Sequence, residues 1–449
     1  MLGGRAFPII ISLCIAYMIP YGVYVRSSYA VQWGRVALSV AFVTMSVFML
    51  LNYWQSTVVL GSVEEPFLLY DARSFYLLSH DLYHGSVGQN SPIVPYWGYP
   101  LFLSCWLRVG ISDIAYPIIV NIGLMLSLLV MVGRCVWWVV DNHAMAQRVS
   151  GYAMMLTALI PGVLGMSVLL AKEPFIMFAM VLSVNALYAI KRQYKLYKYF
   201  PLLLVALFVL AACRVTYIYI IGLYLLAIWC HELKSRDIVP FLMIVVAMGV
   251  MSFVGIYYSW WGDGGFIVQY VSDESHHGSF FCGESQQPLQ QLIGDYDTHP
   301  LWLRMILLPV SVAVQFMIPF PFVSATPDYG LPISMMIYQR MSYLWYAAAI
   351  PMLSYYLFYW WRKKGGGMIF DLLATVSAVA YCIPAFITAG SVSRYAYCFV
   401  PFLSVMGGYV IHRIVENRGE RKAVGVFVSV YIVLISAALF IGANPHWIV

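Results

Sequence analysis

Apolar runs of about 20 residues recur along almost the whole chain, and this recurrence limits the fold more than any motif does. Runs of this length match the hydrocarbon thickness of a bilayer when they form α-helices. Of the 449 residues, 62% are hydrophobic and 10% are charged, whereas soluble domains carry about 25% charged residues. We therefore expect an all-α polytopic membrane protein in which residues 1–449 form one integral-membrane domain.

Thirteen apolar segments are predicted to be helices, and about 11–13 of them are expected to cross the membrane in one bundle. The first begins at Ala6 and lacks a clear small-residue cleavage site, so we expect a retained span rather than a signal peptide. Segment 303–320 is expected to be re-entrant or interfacial, because a full crossing would place the basic stretch after Trp360 on the wrong side. The segments centre on residues 7–25, 36–59, 115–133, 151–171, 174–190, 200–213, 215–230, 238–258, 303–320, 342–361, 368–390, 397–412 and 424–442.

The basic residues predict the orientation of the bundle. Six loops that can share one side hold 17 of the 25 Lys and Arg residues, which makes that side cytoplasmic. These loops begin near Arg26, Arg134, Lys191, His231, Arg362 and Arg413. The outer side then receives a first long loop at 60–114, a second at 259–302, and 13 of the 19 carboxylates. Because the net charge of +6 is scattered between spans, membrane lipid is an expected partner and nucleic acid is not.

The first outer loop concentrates charge in the stretch "YDARSFYLLSHDLYHG". From Asp71 onward the spacing predicts a short amphipathic helix along the membrane surface, with Phe75, Leu78 and Leu82 on one face. Asp71 falls on that apolar face, where burial makes a carboxylate a better proton acceptor for a substrate hydroxyl, although it would also suit a helix cap. The other face carries the polar side chains of Arg73, Ser74, His80, Asp81 and His84. The spacing of His80, Asp81 and His84 permits a metal, but we expect a wetted face.

Four more charged residues lie where apolar segments turn on the outer side. Lys172 and Glu173 stand between two segments with almost no loop, and a charge costs about 2.5–3.5 kcal/mol at the bilayer centre, so a watery cavity or bound partners are implied. Glu173 also suits the start of the next helix, which leaves a purely structural role open. Arg214 divides an apolar stretch of about 30 residues into two short helices, and Arg394 precedes another helix.

Asp71, Lys172, Glu173, Arg214 and Arg394 come from four separate outer loops and are expected to converge at one face. Arginine forks match phosphate geometry, and a lysine adds a point charge. Stabilising the charge on a departing phosphate is a large catalytic contribution. A carboxylate base opposite such cations would complete a glycosyl transfer from a lipid phosphate sugar.

Aromatic residues of the outer loops are candidates for contacts with the sugar or the acceptor. Tyr96 and Trp97 suit such stacking, although an interfacial aromatic belt is the common alternative. Trp260 and Trp261 begin the second long loop, which holds six carboxylates, three histidines and no Lys or Arg. This loop is expected to form a lid over the cavity rather than a metal site, with a solvated loop as the alternative. Arg73 completes the set of candidate sugar or acceptor contacts.

These residues resemble the GT-C superfamily of integral-membrane glycosyltransferases, which includes protein mannosyltransferases and the aminoarabinose transferase of lipid A. The resemblance runs over about residues 60–412 as spaced matches: "YDARSFYLLSHDLYHG", "YWGYPLFL", "LLAKEPFIMF", "CRVTYI", "IPFPF" and "SRYAYCFVP". Two spans before the first outer loop, and a Glu within Lys-Glu at the second, depart from the pattern of the superfamily.

The resemblance implies roles for individual residues. Asp71 corresponds to the catalytic acidic residue of the first outer loop. Glu173 corresponds to the acidic residue near the donor phosphate or a divalent cation, Mg²⁺ or Mn²⁺. Lys172, Arg214 and Arg394 would bind the phosphate of the lipid donor.

The resemblance also implies a reaction and a location. The sugar would pass from a polyprenyl-phosphate donor to a surface glycan or a lipid-linked acceptor, by an inverting displacement. A bacterial inner membrane is expected, with the active site facing the periplasm.

Two other functions fit the sequence. An O-antigen polymerase or ligase would use a pyrophosphate-linked glycan and depend more on the arginines than on Asp71. A transporter or flippase of lipid-linked sugar would show polar residues along the spans and broken helices at midplane.

Overall fold

The chain folds into helices joined by turns, and no strand is found among the residues that the structure describes. The computed structural model describes residues 2–55, 72–85, 98–193, 195–230, 237–260, 300–317, 337, 341, 343–360, 367–388 and 397–443. This helical secondary structure fits an all-α polytopic membrane protein.

Eleven helices account for the described residues of the first part of the chain. They are α1 (Leu2–Val25), α2 (Gln32–Trp54), α3 (Ala72–His84), α4 (Gly98–Arg108), α5 (Ala115–Val139), α6 (His143–Leu159), α7 (Pro161–Ser167), α8 (Glu173–Gln193), α9 (Leu196–Arg214), α10 (Thr216–Cys230) and α11 (Ile238–Trp260).

Five further helices follow among the described residues after Pro300. They are α12 (Leu301–Met317), α13 (Tyr343–Ser354), α14 (Met368–Thr388), α15 (Val400–Glu416) and α16 (Arg418–Ala443), and α13 continues into one π-helical segment, Tyr355–Trp360.

Each of the thirteen predicted apolar segments overlaps at least one of these helices. Within the described residues, six helices are long and apolar enough to cross a membrane. These are Phe7–Val25, Gln32–Trp54, Ala115–Val139, Glu173–Gln193, Leu196–Arg214 and Ile238–Ile256, with Thr216–Trp229 and Met368–Ile383 as shorter apolar helices. The chain is thus an integral membrane protein, while fewer described helices meet this test than the 11–13 spans expected from hydropathy.

The segment 151–171 was expected to be one span and is instead broken. α6 and α7 are bent by 65° at Ile160 and Pro161. Ile160 adopts an extended conformation, as the residue before a proline prefers. α7 begins with Pro161 and is buried along all of its seven residues. The bend directs the chain into the protein interior just before Lys172.

Segment 303–320 was expected to be re-entrant or interfacial. α12 occupies it with 17 residues and contains Pro309, and it packs against α14 and α13. The "IPFPF" stretch that would end the re-entrant segment lies outside the described residues, so the expectation remains a prediction.

Helices α5 and α8 form the centre of the bundle. Of the 18 most apolar consecutive residues in each helix, 83% are buried in α8 and 67% are buried in α5. The same share is 22% in α1 and 17% in α11. The exposed apolar faces of α1 and α11 include Phe7, Ile19, Val246 and Phe253. Apolar side chains on a membrane protein's outside face lipid at little cost, so α1 and α11 belong to the periphery.

Close helix packing joins α15 to α6. A Cβ added at Gly408 would lie 2.8 Å from both the Ala153 nitrogen and the Val149 oxygen. Small residues let membrane helices approach in this way, because no side chain separates their backbones. α15 is thereby fixed against the half of the bundle that leads into the broken α6–α7 pair.

The loops predicted to be cytoplasmic do meet at one end of the bundle. Gln147 donates to the Ser28 carbonyl at 2.9 Å, which joins the α1–α2 loop to α6. Arg192 pairs with Asp141 at 3.1 Å, which joins the loops after α8 and α5. Two other ion pairs join further segments to this end. Lys191 pairs with Asp237, just before α11, and Arg148 pairs with Glu416, at the end of α15. We call this end of the molecule the basic end.

Glu420 holds the turn between α15 and α16 at the basic end. It accepts hydrogen bonds from Arg413 at 2.5 Å and from Tyr359 at 2.6 Å. Burial disfavours the charged form of Glu420, but the hydrogen bonds from Arg413 and Tyr359 outweigh burial and lower the pKa of this carboxyl. The two helices therefore join through a carboxylate that is stable in its ionised form.

Candidate functional site

Lys172 and Glu173 are buried at the end of the bundle opposite the basic end. Only 4% of Lys172 and 5% of Glu173 is exposed. Glu173 is the first residue of α8 and Pro174 follows it, so the carboxylate lies at the positive end of the helix dipole. The Lys172 carbonyl accepts the Ile176 amide at 3.2 Å. This turn therefore presents a cation and a carboxylate side by side in the interior.

Helix α3 covers this turn. The Lys172 Nζ lies 4.8 Å from the centroid of the Phe75 ring, which is a cation–π distance. Phe75 belongs to α3, the helix that the pattern after Asp71 predicts, and both Phe75 and Leu78 are buried. The buried apolar face of α3 therefore points toward the interior, in contact with Lys172.

Aromatic rings connect α3, α4 and α8 beside the charged turn. The Tyr99 ring lies edge-on to Phe75 at 5.6 Å and to Phe175 at 5.7 Å. Phe102 adds a second contact from α4 to Phe175 at 4.9 Å. Edge-to-face pairs of this kind add about 0.5–1.5 kcal/mol to the stability gained from burial. The wall of the site is therefore aromatic where these three helices meet.

Asn121 holds the chain that leads into Lys172. Its amide nitrogen donates to the Leu169 carbonyl at 3.0 Å and to the Ala171 carbonyl at 3.2 Å. Residues 168–171 are not helical, and buried backbone carbonyls need such partners. Asn121 itself is fully buried on α5. Sequence reasoning missed this residue, although a lone amide within the apolar run "AYPIIVNIGLML" was the available signal.

Arg214 lies at the predicted turn between two short helices. α9 ends at Arg214 and α10 begins at Thr216, as the sequence predicted. The Arg214 Cζ lies 5.9 Å from the Tyr217 ring centroid, and Tyr217 contacts Phe399 at 5.9 Å. This turn is therefore joined to the segment that precedes α15.

Two buried cysteines show that these turns are neighbours. The Cys213 thiol lies within electrostatic reach of both Lys172 and Glu173. The Cys398 thiol lies within electrostatic reach of both Glu173 and Arg214. The start of α8, the α9–α10 turn and the segment before α15 therefore meet in one place. We call Lys172, Glu173 and Arg214 the charged cluster.

α4 packs directly on the end of α9. A Cβ added at Gly98 would lie 2.4 Å from the Ala212 Cβ and 2.8 Å from the Ala212 carbonyl carbon. A side chain at position 98 would therefore push the two helices apart. Gly98 belongs to the stretch "YWGYPLFL", so this glycine brings α4 and Tyr99 to the charged cluster.

Several predicted site residues are not described. Asp71, Arg394, Tyr96, Trp97 and Trp261 lie outside the described residues, and of Arg73 and Trp260 only the backbone, in α3 and α11, is described. The next described residues in the sequence after Asp71 and Arg394 are Ala72 and Tyr397, which are 3% and 2% exposed. The roles given to these residues stay predictions.

The polar face of α3 differs in part from its prediction. Asp81 was expected on a wetted face, but it is buried with 7% exposure. His84 is exposed and His80 is half-buried, with its ring edge-on to Tyr76 at 4.6 Å. Among the described residues no three His, Cys, Asp or Glu side chains gather closely enough to hold a metal ion.

Chemically, the charged cluster can bind an anion. Two cations and one carboxylate lie together at an end of the bundle that is lined by aromatic rings. Comparison with known proteins adds no identity to this geometry: no protein-family model matches the chain, and no curated protein matches it.

Proposed function

We propose that the protein is a membrane glycosyltransferase of the GT-C type. It would move a sugar from a polyprenyl-phosphate donor to a surface glycan or a lipid-linked acceptor at the outer face of a bacterial inner membrane. The observation that carries this proposal is that buried Lys172 and Glu173 and half-buried Arg214 come from two separate turns that lie beside the same two buried cysteines, Cys213 and Cys398. Charges are retained at such depth where a charged ligand needs them.

The phosphate of the donor would be held by Lys172 and Arg214, with Arg394 as the third cation. The arginine forks would bind phosphate oxygens in pairs, and Lys172 would add a compact charge. These groups stabilise the negative charge that grows on the phosphate as the sugar leaves, which lowers the barrier of the transfer. The aromatic wall of Phe75 and Tyr99 excludes water and strengthens this attraction.

Asp71 would act as the base of an inverting displacement. It would take the proton from the acceptor hydroxyl, whose oxygen then forms the new bond to the anomeric carbon. The bond from that carbon to the phosphate oxygen breaks, and the phosphate leaves with the electron pair. Arg73, Tyr96, Trp97, Trp260 and Trp261 would contact the sugar or the acceptor.

Glu173 would position the donor phosphate or a divalent cation. Mg²⁺ commonly binds proteins through one or two carboxylates together with substrate phosphates, and Glu173 fits that mode because it belongs to the charged cluster, whose two cations suit a phosphate. Bound there, the ion would neutralise charge on the departing phosphate.

The test uses membranes that contain the full-length protein, a polyprenyl-phosphate sugar and an acceptor fraction. Asp71→Asn is expected to abolish glycan transfer, and Arg214→Gln to weaken donor use. Lys422→Gln, an exposed residue at the basic end, is the control and should transfer normally.

Each alternative has its own outcome in this test. Transfer that survives Asp71→Asn but not Arg214→Gln, with a pyrophosphate-linked glycan as donor, would replace the proposal with an O-antigen polymerase or ligase. Movement of the lipid-linked sugar across the membrane without any transfer would replace it with a flippase.

A further inference from the structure

Two cations at the basic end lie around one tyrosine ring. The Arg134 Cζ is 5.7 Å from the centroid of Tyr199, and the Lys198 Nζ is 5.6 Å from the same centroid. Arg134 also lies 5.7 Å from the Trp138 ring, so its guanidinium is held between two aromatic faces. Two positive charges therefore lie beside the same ring.

Among the described residues, these two cations have no carboxylate partner, unlike their neighbours. Lys191 pairs with Asp237, and Arg192 pairs with Asp141 at 3.1 Å. In the described part of the chain, no carboxylate lies within ion-pair distance of Arg134 or Lys198. The hydrogen bond that Arg134 makes there is a long one, 3.5 Å to the Tyr199 hydroxyl. A guanidinium has five N–H donors, so most of this group is available to a ligand.

The first turn of α9 adds to the uncompensated charge. Lys195 precedes α9 without a side-chain cap, Lys198 follows within the first turn, and that turn contains no acidic residue. Cations at a helix N-terminus are disfavoured by the helix dipole. An anion beside Lys198 would remove this repulsion and also balance Arg134.

The surroundings indicate an anion that belongs to a lipid. Tyr197 is 82% exposed beside Lys198, and aromatic residues at helix ends commonly mark the headgroup level of a membrane. Along α9, Leu202 is 40% exposed and Val205 is 59% exposed. Positions 198, 202 and 205 share one helix face. A headgroup at Lys198 would therefore place its acyl chains along Leu202 and Val205.

We propose that Arg134, Tyr199 and Lys198 form a binding site for the phosphate headgroup of an anionic membrane phospholipid. The two cations hold the phosphate, and the exposed face of α9 holds the acyl chains. The site lies at the end of the bundle opposite the charged cluster, and it does not depend on the proposed transfer reaction.

The test measures lipid retained by the purified full-length protein in native mass spectrometry. Wild-type protein is expected to retain phosphatidylglycerol in preference to phosphatidylcholine. Arg134→Gln combined with Lys198→Gln should weaken phosphatidylglycerol binding about thirtyfold, since basic residues near a membrane surface contribute about 1 kcal/mol each. The matched control is Arg418→Gln with Lys422→Gln, which removes two exposed charges from the same end and should bind lipid as the wild type does.

Three results would overturn the proposal. They are equal retention by the two double variants, equal retention of phosphatidylglycerol and phosphatidylcholine by the wild type, and binding of inorganic phosphate as tight as that of the lipid. Lys198→Gln alone guards against misfolding, because this side chain is exposed, and it should already weaken phosphatidylglycerol binding. The double variant Arg134→Lys with Lys198→Arg keeps both charges and should retain most of the phosphatidylglycerol binding of the wild type.

Discussion

The Lys172 ammonium lies 4.8 Å from the centroid of the Phe75 ring, although 97 positions separate the two residues in the sequence. The contact joins α3 to the turn that carries the buried Lys172 and Glu173. Both residues are almost fully buried, which strengthens the attraction between the cation and the ring because little water screens it.

A double-mutant cycle measures this contact. Phe75→Leu and Lys172→Met are each expected to lower the free energy of unfolding, and the pair should show a coupling of about 0.5–2 kcal/mol. The measurement is the unfolding equilibrium of the purified protein in detergent. Effects that add up without coupling would contradict the cation–π contact.

Asn121→Leu should destabilise the turn before Lys172. It removes the side-chain donor to the Ala171 carbonyl and leaves the Leu169 carbonyl with only the Ala171 amide at 2.9 Å. Losing a donor to a buried carbonyl costs about 1–3 kcal/mol. Asn185→Leu is a matched control, since the Asn185 amide donates to the Met131 carbonyl at 3.0 Å in the other half of the bundle.

Both asparagine variants should lower the unfolding midpoint, but only Asn121→Leu should also weaken donor binding in a transfer assay. An equal effect of the two variants on donor binding would show that Asn121 acts through stability alone.

Gly98→Ala should separate α4 from α9. The new Cβ would meet the Ala212 Cβ at 2.4 Å, and overpacking of this kind costs about 1–3 kcal/mol. Gly22→Ala in α1 is the control, because nothing lies within 4 Å of its added Cβ. Thermal unfolding of the two variants checks the expectation, and Ala212→Gly should partly rescue Gly98→Ala.

The lowered pKa of Glu420 predicts that part of the free energy of unfolding is lost in acid. Because folding lowers the pKa of Glu420, its contribution is present at neutral pH and above the carboxyl's unfolded pKa. This contribution is lost as the pH falls through the lowered value of the folded protein, in the region below about pH 5.

The unfolding midpoint measured against pH tests this effect. Glu420→Gln should lower the midpoint at pH 7 and should flatten the decline toward acid. Glu416→Gln removes a more exposed partner of Arg148, with 48% of its side chain exposed, and should change the profile little. A profile of Glu420→Gln parallel to the wild type would exclude the role of Glu420.

The orientation can be tested by labelling single cysteines with a membrane-impermeant maleimide. In a background without native cysteines, Lys422→Cys at the basic end should react only from the cytoplasmic side. Val109→Cys, which follows α4 and is 68% exposed, should react only from the outside. The opposite labelling pattern would reverse the orientation that the positive-inside rule predicts.

Local patterns in the sequence predicted where the helices lie in the chain better than they predicted bends and packing. The apolar segments and the turn after Arg214 were predicted from length and hydropathy, which act within one segment. The break at Ile160 and Pro161 was missed, because the apolar run continues through it and hydropathy does not report direction. Burial of Asp81 was also missed, because burial depends on what packs against α3 in the folded protein.

The site was predicted only as a set of charges at outward turns. Lys172, Glu173 and Arg214 were chosen because a charge between apolar segments is costly, and the described structure places them together. Their proposed roles, and the positions of Asp71 and Arg394, remain predictions. Asn121 was not chosen, since nothing near it in the sequence indicates that its amide meets carbonyls about 50 residues away.

The sequence by itself determined that this chain is a helical membrane protein with its basic loops at one end, because span length and loop charge are local properties. Only the tertiary structure decided that Asn121 holds the turn before Lys172 and that Arg134 and Lys198 lie around one ring. These relationships join residues that are distant in the chain, and they depend on how the helices pack against one another.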